Sequence, residues 1–288
     1  MPSNHSIRFG ALAAAAVLTA SLAACAAPAD SSTPAPSESS SSTALQTVTE
    51  GKLTIATGEP AYFPYVIDDD PSNGQGFESA VAYAVAANLG FAAEDVVWIR
   101  STFDEAIAPG PKAYDFNLQQ VSITDERKSA VDFSSPYYAA QQAVITVEGS
   151  AAASATSIAD LAKLKIGAAT ATTSLTAIEE IIAPESGAQI FNSNDDAKLA
   201  LESGQVDAII VDLPTAYYIT GVELDGGVIV GTLPDVAGDT DEWGLVLAKG
   251  SPITAAVTKA VDTLTADGTL AAIVEDWLGA GQGVPELQ

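Results

Sequence analysis

Arg127 is the residue in this chain whose chemistry is most specific. The 288 residues carry three arginines, Arg8, Arg100 and Arg127, against 37 acids, for a formal net charge of −26. A guanidinium offers a planar fork of donors that matches a carboxylate in bidentate fashion, which a lysine cannot do. Arg127 lies in Gln120-Val-Ser-Ile-Thr-Asp-Glu-Arg-Lys-Ser-Ala-Val-Asp-Phe-Ser-Ser-Pro-Tyr-Tyr138. Thr124 reads as the N-cap of a short helix with Asp125 and Glu126 in its first turn, which sets Arg127 about one turn in. The plain alternative is a surface arginine paired with one of the many acids.

Two stretches of that segment, Ser-Ile-Thr-Asp-Glu-Arg-Lys (122–128) and Val-Asp-Phe-Ser-Ser-Pro-Tyr-Tyr (131–138), resemble the family 3 solute-binding proteins of polar amino acid ABC importers. The resemblance runs from Gly51 to about Gly279. It implies a type II periplasmic-binding-protein fold, an α/β architecture of two parallel-sheet lobes joined by two crossing strands. It also implies that Arg127 holds the α-carboxylate of a bound amino acid.

A set of partners follows from the same resemblance. Thr172 and Thr173 open a helix after the strand Lys165–Ala169 and match second-lobe contacts to the carboxylate, although Ala171 stands where a glycine is frequent. Ser122 and the Gln120 carbonyl match acceptors for the ammonium, and Asp212, at the carboxyl end of Asp207–Val211, matches its carboxylate partner. Taken alone, Thr172 could be a simple N-cap and Asp212 could cap the following helix; Asp207, at the start of its strand, reads as structural. Tyr62 and Phe103 match aromatic walls around the ligand side chain, and Trp243 is a candidate for hinge packing or a pocket edge. Glu59 matches a position where an acid reaches cationic or amide side chains. In Leu118-Gln119-Gln120 two amides replace small residues, so Gln119 joins the candidate lining. Arg100 reads as structural.

The elements that must position these groups alternate. Lys52–Thr57, Val96–Arg100 and Tyr114–Gln119 read as strands, and Phe77–Leu89 as a helix ending at Gly90. Such a β-α-β rhythm implies a parallel sheet with right-handed crossovers. It begins again with Lys165–Ala169, a helix from about Thr172 to Ile182, Ala188–Phe191, a helix capped by Ser193 or Asn194, and Asp207–Val211. Gln141–Thr146 joins the two units. Trp243–Ala248 and helices at about Pro252–Ala266 and Leu270–Leu278 close the chain, and the resemblance returns them to the first lobe. The expected lobes are therefore 48–142 with 243–288, and 143–242.

The N-terminus reads as a targeting segment: a short polar stretch with Arg8, then the apolar run Ala11–Ala24, too short at 14 residues for the about 20 a spanning helix needs. Leu22-Ala-Ala-Cys25 resembles a lipobox, which implies loss of residues 1–24 and diacylglycerol on Cys25, anchoring the protein to the outer face of the cell membrane. Cys25 is the sole cysteine, so no intramolecular disulfide can form. Residues 26–46, rich in Ser, Pro and Ala, cannot offset their ordering entropy and read as a leash, giving a linker over 25–47.

Composition excludes several functions. No basic stripe exists for nucleic acid. The sole histidine, His5, lies in the leader, so Ser-His, Cys-His and ordinary zinc sites are excluded from the mature chain. No cofactor, metal or catalytic residue is expected. The expected partners are an amino acid, permease subunits and the membrane through the Cys25 anchor, with a monomeric receptor. Two alternatives stand beside this: a dehydratase-like enzyme of the same fold, with Glu59 as its acid or base, and a ligand sensor for a separate signalling partner.

Overall fold

In a computed structural model the described residues are 45–236, 240–279 and 283–288. The expected leader, Cys25 and all but the last three residues of the linker lie outside them. No helix among the described residues is long and apolar enough to cross a membrane.

The described residues form one compact unit built on two five-stranded sheets. The first has the order β2-β1-β3-β10-β4, from β1 (Leu53–Thr57), β2 (Val96–Arg100), β3 (Phe116–Asn117), β4 (Val131–Ala140) and β10 (Asp241–Ala248). The second has the order β7-β6-β8-β5-β9, from β5 (Gln142–Val147), β6 (Ile166–Ala169), β7 (Gln189–Phe191), β8 (Ala208–Asp212) and β9 (Gly227–Thr232). The same winding thus occurs twice, as the alternation of elements implies.

The sheets are mixed, where parallel ones are expected from the sequence. β1 pairs parallel with β2 and β3, and β6 with β7 and β8. β10 runs antiparallel to β3 and β4, and β5 antiparallel to β8 and β9. The reason is the route of the chain: each crossing strand enters its new sheet from the neighbouring lobe, so it runs against the strands already there.

Both faces of the second sheet are covered, and the period of two sorts its side chains between them. Ala143, Ile145, Ile209 and Val211 pack with α6 (Asn194–Glu202) and α7 (Leu213–Tyr218). Val144, Ile166, Ala168, Ala208 and Ile210 face the other side, with α4 (Ile158–Leu161) and α5 (Thr173–Ala177). The first lobe buries Leu53, Ile55, Phe116, Leu118, Leu245 and Leu247 against α1 (Phe77–Asn88), α8 (Thr254–Ala266) and α9 (Thr269–Leu278). The remaining helices, α2 (Phe103–Ile107) and α3 (Asp125–Ala130), sit at the carboxyl ends of first-lobe strands.

Side-chain caps place the helix starts. Thr102 and Glu105 form a capping box on α2, and Thr124, Thr172 and Ser193 cap α3, α5 and α6. Two glycines set the approach of site segments. At Gly76 (φ +100°) a Cβ would lie 2.5 Å from the Tyr65 carbonyl, so only glycine lets that loop sit on the start of α1. At Gly244 a Cβ would fall 2.8 Å from Ile123, whose amide donates to the Glu242 carbonyl at 2.7 Å.

The chain ends against the second lobe, where the sequence reading keeps residues 243–288 in the first. Glu286 bridges Thr232, and Leu287 is buried in the second-lobe core. Leu287 is apolar and Gly231 leaves room for it; a Cβ at Gly231 would lie 2.6 Å from its side chain.

Candidate ligand cleft between the lobes

Thr124 caps α3 by accepting from the Arg127 amide at 3.2 Å, which holds Arg127 at the third helical position. The guanidinium is buried and donates to the Ser122 carbonyl at 2.7 Å and, across the cleft, to the Ala171 carbonyl at 2.8 Å. Its carbon lies 5.3 Å from the centroid of the Phe103 ring. Phe103 thus supports the cation from one face, a role distinct from the expected wall around a ligand side chain, and also lines the cleft. Burial pushes the guanidinium's pKa down, and Asp241, Asp212 and Glu126 push it back up. Arg127 makes no salt bridge among the described residues.

Asp212 ends β8 in the second lobe. It sits at the N-cap position of α7 but makes no capping bond there. Its Oδ1 instead accepts from Gln142 Nε2 at 2.7 Å. Burial first, and Asp241 second, raise its pKa to about 8, against the lowering effects of Gln142 and Arg127. Asp212 too forms no salt bridge among the described residues. A buried cation and a partly buried acid therefore face one cleft from different lobes without pairing.

The cleft encloses about 420 Å³, within the range of small-molecule sites. Ser122 and Thr173 line it from opposite lobes and their hydroxyls share a hydrogen bond at 3.3 Å. Thr172 also lines it, with its hydroxyl spent locally: it accepts from the Leu175 amide at 3.2 Å and donates to the Ala169 carbonyl at 2.7 Å. Ala171 holds a left-handed φ of +59°, which costs an L-residue roughly 1 kcal/mol. The glycine that is frequent there would carry no such cost.

Gln119 and Gln120 both line the cleft and are both tied to protein. Gln119 Nε2 donates to Asn117 Oδ1 at 3.1 Å. Gln120, at φ +54°, donates its amide to Glu78 Oε1 at 2.8 Å and its side-chain amide to Glu78 Oε2. Glu78 also accepts from the Tyr137 hydroxyl at 2.5 Å. This acid is 1% exposed, lines the cleft, and has its pKa raised to about 7 by burial, against the three hydrogen bonds.

Glu78 is not among the expected residues, yet a signal for it exists. It stands three and four positions before Val81 and Ala82, on the apolar stripe of α1, where a charge is out of place. Tyr65, also unexpected, lines the cleft and shares a 2.8 Å hydrogen bond with Thr215 across it.

Glu59 lines the cleft and is exposed at its mouth. Tyr62 lines it as well and donates to Asp195 Oδ2 of the second lobe at 2.9 Å. Trp243 does not reach the cleft. It is fully buried in the first-lobe core, with Tyr138, Tyr65 and Tyr137 at centroid distances of 4.8, 5.7 and 6.3 Å. Its position in β10 points it into the sheet's covered face, and Tyr65 stands between it and the cavity. Arg100 is structural as expected: it donates to the Gly58 carbonyl and Asp69 Oδ1 at 2.8 and 2.7 Å. Asp207 is also structural, accepting from the Lys165 amide at 2.8 Å.

The chain is similar in sequence and fold to known proteins. The L-cystine-binding protein TcyJ of Escherichia coli (strain K12) is 29% identical over 241 residues, covering 82% of this chain and 86% of its own. The L-arginine-binding protein of Pseudomonas aeruginosa is 26% identical, covering 73% of this chain and 82% of its own. A solved ancestral arginine-binding protein bound to glutamine superposes with a TM-score of 0.65 at 30% identity, covering 80% of this chain and 99% of its own. The family model for bacterial extracellular solute-binding proteins, family 3, matches residues 53–280. The chain belongs to the family 3 bacterial extracellular solute-binding proteins.

Proposed function

We propose that this protein is the substrate-binding lipoprotein of an ABC importer, capturing one polar amino acid between its lobes and delivering it to a membrane permease. The observation that carries this reading is the separation of Arg127 from Asp212. A buried cation and a partly buried acid facing one cavity without pairing are the complement of a zwitterion. The carboxylate goes to Arg127, which has uncommitted N–H donors, with Thr173 beside it. The ammonium goes to Asp212, with Ser122 and the Gln120 carbonyl.

The side chain then meets Glu59, Glu78, Asp104 and the two glutamine amides. Four carboxyl groups and one guanidinium line the cleft, a balance that favours cationic or amide side chains and disfavours acidic ones. Relatives named for arginine, histidine, glutamine and cystine are in keeping with this chemistry.

Contacts to both lobes let the ligand favour the closed form, since only differential affinity shifts a conformational equilibrium. The Cys25 anchor and the leash would keep the receptor near its permease. Calorimetry against a panel of polar amino acids tests the reading: one or more cationic or amide members should bind, with aspartate and glutamate weak. A folded sample that binds none of them overturns it. Turnover of a prephenate-like acid would replace it with the enzymatic alternative.

A further inference from the structure

Behind the proposed ammonium site lies an acid that neither the sequence reading nor the cleft lining includes. Asp241 opens β10, in the second crossing between the lobes, and Gln142 opens β5, in the first. The single nitrogen of the Gln142 amide donates to Asp212 Oδ1 at 2.7 Å and to Asp241 Oδ2 at 2.8 Å. The amide's orientation is set by Ser174, whose hydroxyl donates to Gln142 Oε1 at 2.6 Å. Thr173 Oγ1 donates to the same Asp241 Oδ2 at 2.7 Å. The other oxygen, Oδ1, is buried without a hydrogen-bond partner among the described residues.

Two carboxyl groups held on one amide nitrogen repel each other when both are charged, and Asp241 is the cause, second after burial, that raises the pKa of Asp212. Asp241's orphan oxygen adds to the cost of a second negative charge. The charged and titratable groups facing Asp212 from its surroundings are Asp241 on β10, Arg127 on α3, Glu78 on α1, and the phenols of Tyr65 and Tyr138. Arg127 is the one cation of this set, and its two observed hydrogen bonds go to carbonyls.

We propose that Asp212 and Asp241 form one coupled acidic subsite, and that the ammonium of an incoming amino acid takes the place of a proton held by the pair. The inference rests on the reading of Asp212 as the ammonium partner. The exchange balances simply: the ligand arrives as an ammonium and stays one, the pair loses one proton, and that proton goes to bulk water. Ligand capture then carries a proton signature, and Asp241 acts as a positioning residue that sets the pH at which capture is strongest.

The direction follows from the sign of the shift. Before binding, Asp212 is protonated below about pH 8; the bound form needs it ionised. Affinity should therefore be greatest above that value and fall about tenfold per pH unit below it. No histidine lies among the described residues to mimic the effect.

The test is calorimetry of the purified protein with L-arginine, L-histidine, L-glutamine and L-cystine, in buffers of different ionisation enthalpy. The expected result at pH 6.5 is release of about one proton per ligand bound, declining toward none at pH 9. In Asp241→Asn the midpoint of this pH dependence should move down by about one pH unit, and in Glu78→Gln the release should persist. Binding without proton release at pH 6.5 overturns the inference and leaves the reading of the cleft standing. Release that vanishes in Glu78→Gln and is unmoved in Asp241→Asn assigns the proton to Glu78 and also overturns it. If no amino acid binds, the reading of the cleft and the inference fall together. If Asp241→Asn fails to fold, the wild-type proton count and its persistence or loss in Glu78→Gln decide the matter.

Discussion

The Arg127 guanidinium of the first lobe donates to the Ala171 carbonyl of the second at 2.8 Å. The proposed carboxylate clamp is therefore also a fastener between lobes, and the Phe103 ring lies against its cation at 5.3 Å to the centroid. Arg127→Lys keeps the charge and loses the fork, the fit against Phe103 and one of the two carbonyl contacts. Affinity for the captured amino acid should fall about 100-fold or more, measured by calorimetry, with a melting temperature changed far less than ligand binding.

Tyr62 makes a second fastener through Asp195, in a cluster where Lys198 also pairs with Glu223 at 2.8 Å. Burial and the Asp195 hydrogen bond both raise the phenol's pKa, so it stays a donor at any working pH. Tyr62→Phe removes that hydrogen bond and little packing. We expect a loss of affinity of about 3- to 10-fold, accompanied by a more open ligand-free form in small-angle scattering. An unchanged affinity would mean that the contact plays no part in closure.

The buried acids give the fold an unusual pH dependence. Glu78 has its pKa raised from 4.5 to about 7. A raised folded-state value means that this group's stability is fully present below pH 4.5 and is lost as pH rises through 7. The difference is worth about 3 kcal/mol, and Asp212, raised to about 8, acts in the same direction. Ligand-free protein should therefore melt higher at pH 5.5 than at pH 8.5 by calorimetry. Glu78→Gln should flatten the dependence between pH 5 and 7.

Glu59 is one of two exposed acids lining the cleft, with Asp104. Solvent screens its charge, so its share in selectivity is modest. Glu59→Gln should weaken arginine or lysine by about 3-fold and leave glutamine nearly unchanged, in competition binding assays. Equal losses for both ligands would argue against a charge role.

Much of the fold was legible because its signals are local. Apolar runs such as Ile166–Ala169 and Ala208–Val211 mark strands covered on both faces, and Thr124 and Ser193 announce the helices they cap. The ten-residue β4 was not legible. Its exposure alternates irregularly and contains Pro136, and register shifts in its β10 partner accommodate it. Trp243 shows the same limit at one residue: near a crossing strand it reads as hinge packing or a pocket edge, and only its packing against three tyrosines puts it in the first-lobe core.

By itself the sequence determined the class of this protein, because Arg127, its cap and the words around it are contiguous and their chemistry is carried by residue type. It also determined which strand ends present Ser122, Thr173 and Asp212. Only the tertiary structure decided what those groups meet. Glu78 reaches Gln120 from 42 residues away, and Asp241 meets Asp212 on a Gln142 amide 99 residues upstream of Asp241. Such pairings depend on how two sheets and two crossings close on one another, and no local period or spacing encodes that closure. Burial then sets the charge states, because the cost of ionising a carboxyl group depends on the water and neighbours that folding removes or supplies.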